Sequence, residues 1–105
     1  MNIRNLTPHT INETVSGQSY PSTGTVARVT TTNIRVATWE GSPILIQVAG
    51  EVTDLPDQQG GTALIVSAMV RLALPGRGDL LSPGDLVRNE DGQPIGCDGF
   101  VSNLG

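Results

Sequence analysis

The sequence predicts a mainly β (α+β) domain: a small barrel or two-sheet β domain of about 6–8 short strands with one short helix. Three observations carry that prediction. Thirteen glycines and seven prolines cut the chain into short segments, as tight loops between strands require. The segments between them are short apolar or alternating runs rather than long 3.6-period stretches. Only one stretch has both a helix start and a helix stop. With 105 residues the chain is read as a single domain, residues 1–105.

Taken in order, the expected strands are Ile3 to Leu6, Thr10 to Val15, Val26 to Thr30, Ile34 to Trp39 and Pro43 to Val48. Ala63 to Val66, Leu86 to Arg88 and Pro94 to Val101 complete the set. The run Ile44-Leu45-Ile46-Gln47-Val48 is apolar on both faces apart from Gln47, the pattern of a central strand. Asp91-Gly92 tolerates positive φ and predicts a hairpin joining "DLVR" to "QPIGC". The helix is Ala68 to Leu74, capped by Ser67 and ended by Pro75-Gly76. Two turns of helix are not stable alone, so it is expected to lie across an open end of the sheet.

Composition excludes several classes of function. Net charge is −4, which leaves no basic footprint for duplex nucleic acid. Tyr20, Trp39 and Phe100 are the only aromatics, too few to stack single strands. Cys97 stands alone, so no intramolecular disulfide forms and a reducing compartment is implied. No apolar run is long enough to span a bilayer, and none resembles a signal peptide. The expectation is therefore a cytoplasmic protein with no membrane partner, in which the Asn-x-Thr sequons at Asn5 and Asn12 are coincidental. His9 and Cys97 lack further ligands at metal spacing, so no metal is expected. There is no lysine for a GxxxxGK[ST] loop, and neither GxGxxG nor GxSxG occurs, so no cofactor is implied either.

All six basic residues are arginine, whose planar fork matches phosphate and carboxylate where lysine is a point charge. A GC-rich genome accounts for that total but not for the positions. Three glycine-bearing loops gather the polar groups: residues 20–29, "YPSTGTVARV"; residues 74–88, "LPGRGDLLSPGDLVR"; and residues 95–100, "IGCDGF". Backbone amides in such turns can form anion-binding nests, which a neighbouring arginine completes. Ordinary turns with arginines paired to aspartates are the competing reading.

The segments "NLTPHTI", "PSTGTVAR", "VTDLP", "ALIVSAMV", "GRGDLLSPGDLVR" and "GQPIGC", in this order over nearly the whole chain, resemble a family of short uncharacterised proteins of bacteriophages, prophages and actinobacteria. The chain departs from the family in its longer Pro-Ser-Thr-Gly turn and in Leu64, where relatives carry an aromatic residue. The resemblance implies a phage-type accessory protein acting in the host bacterium. Its repeated positions include the polar residues His9, Ser22, Arg28, Ser67, Arg77, Asp79 and Arg88.

Joined to the arginine-bearing loops, the resemblance leads to an expected function. The protein would sequester a phosphorylated nucleotide immune signal, a cyclic oligonucleotide or cyclic ADP-ribose derivative, without turning it over. Arg28, Arg77 and Arg88 would hold phosphates, Ser22 and Thr23 would add donors, Asp79 would accept from ribose or base, His9 would contact the ligand, and Ser67 is counted in the same ligand-binding set. A homo-oligomer is expected, because two small protomers enclose a ligand better than one. The alternatives are a small enzyme using His9 as acid or base, with Asp79 as its complement, and a virion or interaction component.

Overall fold

The computed structural model describes residues 2–103. Its elements are β1 (Asn2–Asn5), β2 (Ile11–Asn12), β3 (Ser19–Tyr20), β4 (Arg28–Trp39), β5 (Ser42–Thr53) and β6 (Thr62–Ile65). Then follow α1 (Ala68–Ala73), β7 (Leu80–Pro83), β8 (Leu86–Arg88), β9 (Pro94–Cys97) and β10 (Phe100–Ser102). The protein is mainly β with one short helix, as expected, and its strands form open sheets rather than a closed barrel. No described helix is long and apolar enough to cross a membrane.

A four-stranded mixed sheet, in the order β1-β6-β7-β10, forms the body. β1 and β7 both run parallel to β6, and β10 closes the other edge antiparallel to β7. The parallel step from β6 to β7 needs a crossover, and α1 supplies it. Ser67 caps the helix by accepting from the Val70 amide, and Val70 is fully buried. The core is Leu6, Ala27, Leu64, Val66, Val70 and Leu80, with Val29, Val52, Leu55 and Leu74 packed against it. Asn103 closes the far end of the helix, its amide donating to the carbonyls of Arg71, Leu74 and Arg77.

The hairpin at Asp91-Gly92 forms as expected, with β8 paired to β9 and Gly92 at φ 78°. Other local expectations change. The strand expected over Thr10 to Val15 stops at Asn12, because the Glu13 carboxylate accepts from the amide and hydroxyl of Ser16 and folds the chain into a turn. The two strands expected over Val26 to Thr30 and Ile34 to Trp39 are one. The intervening Thr31, Thr32 and Asn33 stay in register with Ala49, Val48 and Gln47, as threonine's stiff branched side chain favours. The long loop over residues 74–88 contains β7 and β8.

The largest correction concerns Pro43 to Val48. This segment is not a central strand: it lies in β5, which pairs only with β4 in a two-stranded arm. The arm turns at Glu40-Gly41, both at positive φ (51° and 83°), with Trp39 opposite Ser42. That is a two-residue primed hairpin turn. Each strand has twelve residues, so the arm is about 40 Å long at roughly 3.3 Å per residue. It stretches the molecule to a radius of gyration of 16.3 Å, where a compact chain of this length has about 13 Å.

Candidate functional site

The segment "NLTPH" is a folding device. Asn5 is 1% exposed, and its side-chain amide is saturated. Its Oδ1 accepts from the Thr7 amide (2.9 Å) and the Thr7 hydroxyl (2.7 Å). Its Nδ2 donates to the carbonyls of His9 (2.8 Å) and Tyr20 (2.7 Å). His9 therefore enters this knot through its backbone, and its side chain is exposed. The imidazole lines neither of the two arginine-bearing cavities described below.

The loop "PSTGTVAR" is tied to that knot. The Ser22 hydroxyl donates to the Thr7 carbonyl at 2.7 Å and accepts from the Gly24 amide. Thr23 donates both its amide and its hydroxyl to the Asn5 carbonyl, each at 3.0 Å. Ala27 then donates to the Leu6 carbonyl. The hydroxyls of Ser22 and Thr23 thus close a loop, and that of Ser67 caps the helix.

Among the arginines, four are engaged by the protein. Arg77 grips Asp79 with two hydrogen bonds of 2.8 Å and also donates to the Pro56 carbonyl. The Asp79 side chain is 4% exposed. The Arg77 hydrogen bonds hold its carboxyl below the ordinary value, outweighing the opposing effect of burial, and the same bonds raise Arg77. Arg71 reaches the buried Ser82 hydroxyl (2.8 Å) and Asn103. Arg88 donates across its hairpin to the Gly92 carbonyl, and Arg35 donates to Thr38.

Arg4 and Arg28 differ from these four. Both are exposed, and the side chain of neither makes a hydrogen bond or ion pair among the described residues. Each lines a cavity. Arg28, at the start of β4, shares a cleft of about 290 Å³ with Thr7, Pro8, Ser67 and Met69. Arg4, on β1, borders a smaller cavity of about 130 Å³ with Thr23, Thr25, Gln59, Asp57 and Asp79. Leu6 is a wall of both. Of the residues singled out from sequence, the fold thus brings Arg28 to Ser67, and Thr23 to Asp79, on either side of Leu6. Arg88 sits apart in the β8–β9 hairpin.

Arg4 was not among the expected residues. Its signal was present, since an arginine between Ile3 and Asn5 in an alternating strand faces away from both. Among the described residues no three His, Cys, Asp or Glu side chains gather as a metal site.

Fold and site together define a small, mainly β protein with two arginine-bearing clefts and a projecting hairpin. Comparison of the chain with protein-family models, with curated proteins and with solved structures finds no match.

Proposed function

We propose that the protein is a non-catalytic binder of a phosphorylated nucleotide, a phage accessory factor that sequesters a cyclic oligonucleotide or cyclic ADP-ribose signal of host defence. The observation that carries this reading is the pair Arg4 and Arg28: two guanidinium groups with no hydrogen bond or ion pair among the described residues, each lining a cavity that has Leu6 as a wall. A planar fork with no carboxylate of its own is matched to phosphate. Thr7 and Ser67 beside Arg28, and Thr25, Gln59 and Asp57 beside Arg4, offer the donors and acceptors that ribose and base require. The phage setting rests on the sequence resemblance.

Both cavities fall below the roughly 300–1,000 Å³ of a site that encloses a drug-sized ligand. In this reading a nucleotide with two phosphates would place one phosphate at each arginine, the two clefts sharing Leu6 as a lining residue. A second copy of the chain would complete the walls. Asp79 is committed to Arg77 and His9 lies outside the clefts, so the roles left to them are support and peripheral contact. A virion or assembly component is the second reading, favoured by the exposed β4–β5 arm.

A thermal-shift panel of cyclic di- and trinucleotides, cyclic ADP-ribose isomers and linear controls tests the proposal. A ligand that binds only the native state at a hundredfold excess over Kd contributes about 2.7 kcal/mol, which raises the melt by on the order of 10 °C for a domain of this size. AMP and inorganic phosphate should do far less, as they engage one arginine at a time. A flat panel overturns the proposal, and copurification with capsids would then favour the assembly reading.

A further inference from the structure

The β4–β5 arm sorts its side chains by face. Paired residues of an antiparallel ladder point to the same side, and successive pairs alternate. The register then places Thr32/Val48, Ile34/Ile46, Ala37/Ile44 and Trp39/Ser42 on one face, and Thr31/Ala49, Asn33/Gln47, Arg35/Leu45 and Thr38/Pro43 on the other. Two side-chain hydrogen bonds agree with this division. Gln47 donates to Thr31, and Arg35 donates to Thr38, both within the second face. The first face carries no charged residue and no amide side chain. It is nevertheless open: Trp39 is 70% exposed, Ile46 49%, Ile34 46% and Val48 40%.

We infer that this face is a self-association surface, on which the arm of a second copy of the chain packs. Size is the first argument. These exposed fractions, with the half-buried Ile44, amount to about 450 Å² of apolar side-chain surface, since a large aromatic alone spans roughly 150–250 Å². A stable interface covers about 800 Å² per partner, and between identical chains roughly 65% of it is apolar, or about 520 Å². The face therefore supplies most of the apolar surface that one side of a stable dimer contact needs.

Charge is the second argument. An uncharged face meets its own copy in a two-fold contact without conflict. An anionic bilayer would meet no Lys or Arg on this face, would meet Glu40 at the tip of the arm, and would face a chain of net charge −4. Stability is the third. A lone two-stranded ribbon is marginal in water, and this one has an apolar face with no cover from its own body beyond the Val29/Val52 pair at its base. A second arm supplies the missing layer. The inference stands apart from the nucleotide reading, and its test uses no nucleotide.

The test is sedimentation velocity of the ligand-free protein at micromolar concentration, beside the emission of Trp39, the chain's single tryptophan. The expected particle is a dimer or a higher assembly of the 11.0 kDa chain, with Trp39 emission moving to longer wavelength on dilution. Ile46→Lys, on the apolar face and remote from the core, should give a monomer with red-shifted emission and an unchanged far-UV spectrum. Gln47→Lys, on the opposite face of the same strand, should leave the assembly intact. If Ile46→Lys fails to fold, Val48→Lys reads the same face. A wild-type monomer at every concentration overturns the inference, as does equal dissociation by Gln47→Lys. A monomer that buries Trp39 only on adding phosphatidylcholine vesicles would overturn it in favour of a lipid surface.

Discussion

Replacing Asn5 by alanine should damage the fold more than replacing either arginine of the two clefts. Four hydrogen bonds of 2.7–2.9 Å end on its amide, in a side chain 1% exposed to solvent. Each such bond contributes about 1 kcal/mol net, and a buried group left without a partner costs roughly 1–3 kcal/mol. Thr7 is itself buried, so its amide is left in that position. The His9 carbonyl keeps the Thr7 hydroxyl at 3.1 Å, which softens the loss at one of the four. A destabilisation of about 3–4 kcal/mol follows, out of the 5–15 kcal/mol typical of a domain. At roughly 4–8 °C per kcal/mol the melting temperature should fall by about 12–32 °C. Asn5→Asp should not rescue it, because a carboxylate cannot donate to the carbonyls of His9 and Tyr20. His9→Ala keeps the accepting carbonyl and should leave the melt nearly unchanged. Thermal and urea unfolding of the three variants are the assay. An Asn5→Ala melt within about 3 °C of wild type, under 1 kcal/mol, would show that this knot does not hold the loops together.

Further outcomes follow from the same contacts. Arg28→Ala should change stability by less than about 0.5 kcal/mol, as expected for an exposed side chain with no partner among the described residues, while abolishing any ligand-induced melt shift. Arg77→Ala should instead cost about 2–4 kcal/mol, since it strands the buried Asp79 carboxylate; chemical denaturation of both separates site from support. The folded Asp79 carboxyl lies below its ordinary value, so its contribution is complete above about pH 4 and is lost as pH falls through the folded value. Asp79→Asn should flatten that acid limb of a stability–pH curve, and an unchanged limb would contradict the pairing. A Cβ at Gly96 would run into the Asn12 carbonyl, so Gly96→Ala should destabilise by about 1–3 kcal/mol; a neutral melt would mean that β2 can move away from β9.

Local chemistry was legible in the sequence wherever it acts alone. Asp91-Gly92, the Ser67 cap and the Pro75-Gly76 stop each work through neighbouring residues, and each appears where expected. The arm was not legible, because an apolar run on both faces of a strand is the same string whether the strand is central or unpartnered. Glu40-Gly41 also lacks the Asn or Asp that marks a primed turn, since glutamate rarely takes positive φ. For the site, residue type pointed to arginine, but pairing is decided by tertiary neighbours. Arg77 has its aspartate two residues on, whereas Arg28 has none, and the sequence does not distinguish them by type. Ser22 and Thr23 were read as donors to a ligand, while the fold spends them on the carbonyls of Thr7 and Asn5. Sequence adjacency could not show that the loops meet there, because Asn5 and Thr23 lie eighteen positions apart.

The central claim, that Arg4 and Arg28 together hold one phosphorylated nucleotide, is tested most directly by native mass spectrometry. The protein would be sprayed as freshly purified and again after mixing with each cyclic nucleotide of the panel. The account predicts an adduct with the intact mass of one cyclic nucleotide, retained by Gln47→Lys and lost by both Arg4→Ala and Arg28→Ala. Bare protein under every condition would contradict it, and so would an adduct that survives both arginine substitutions.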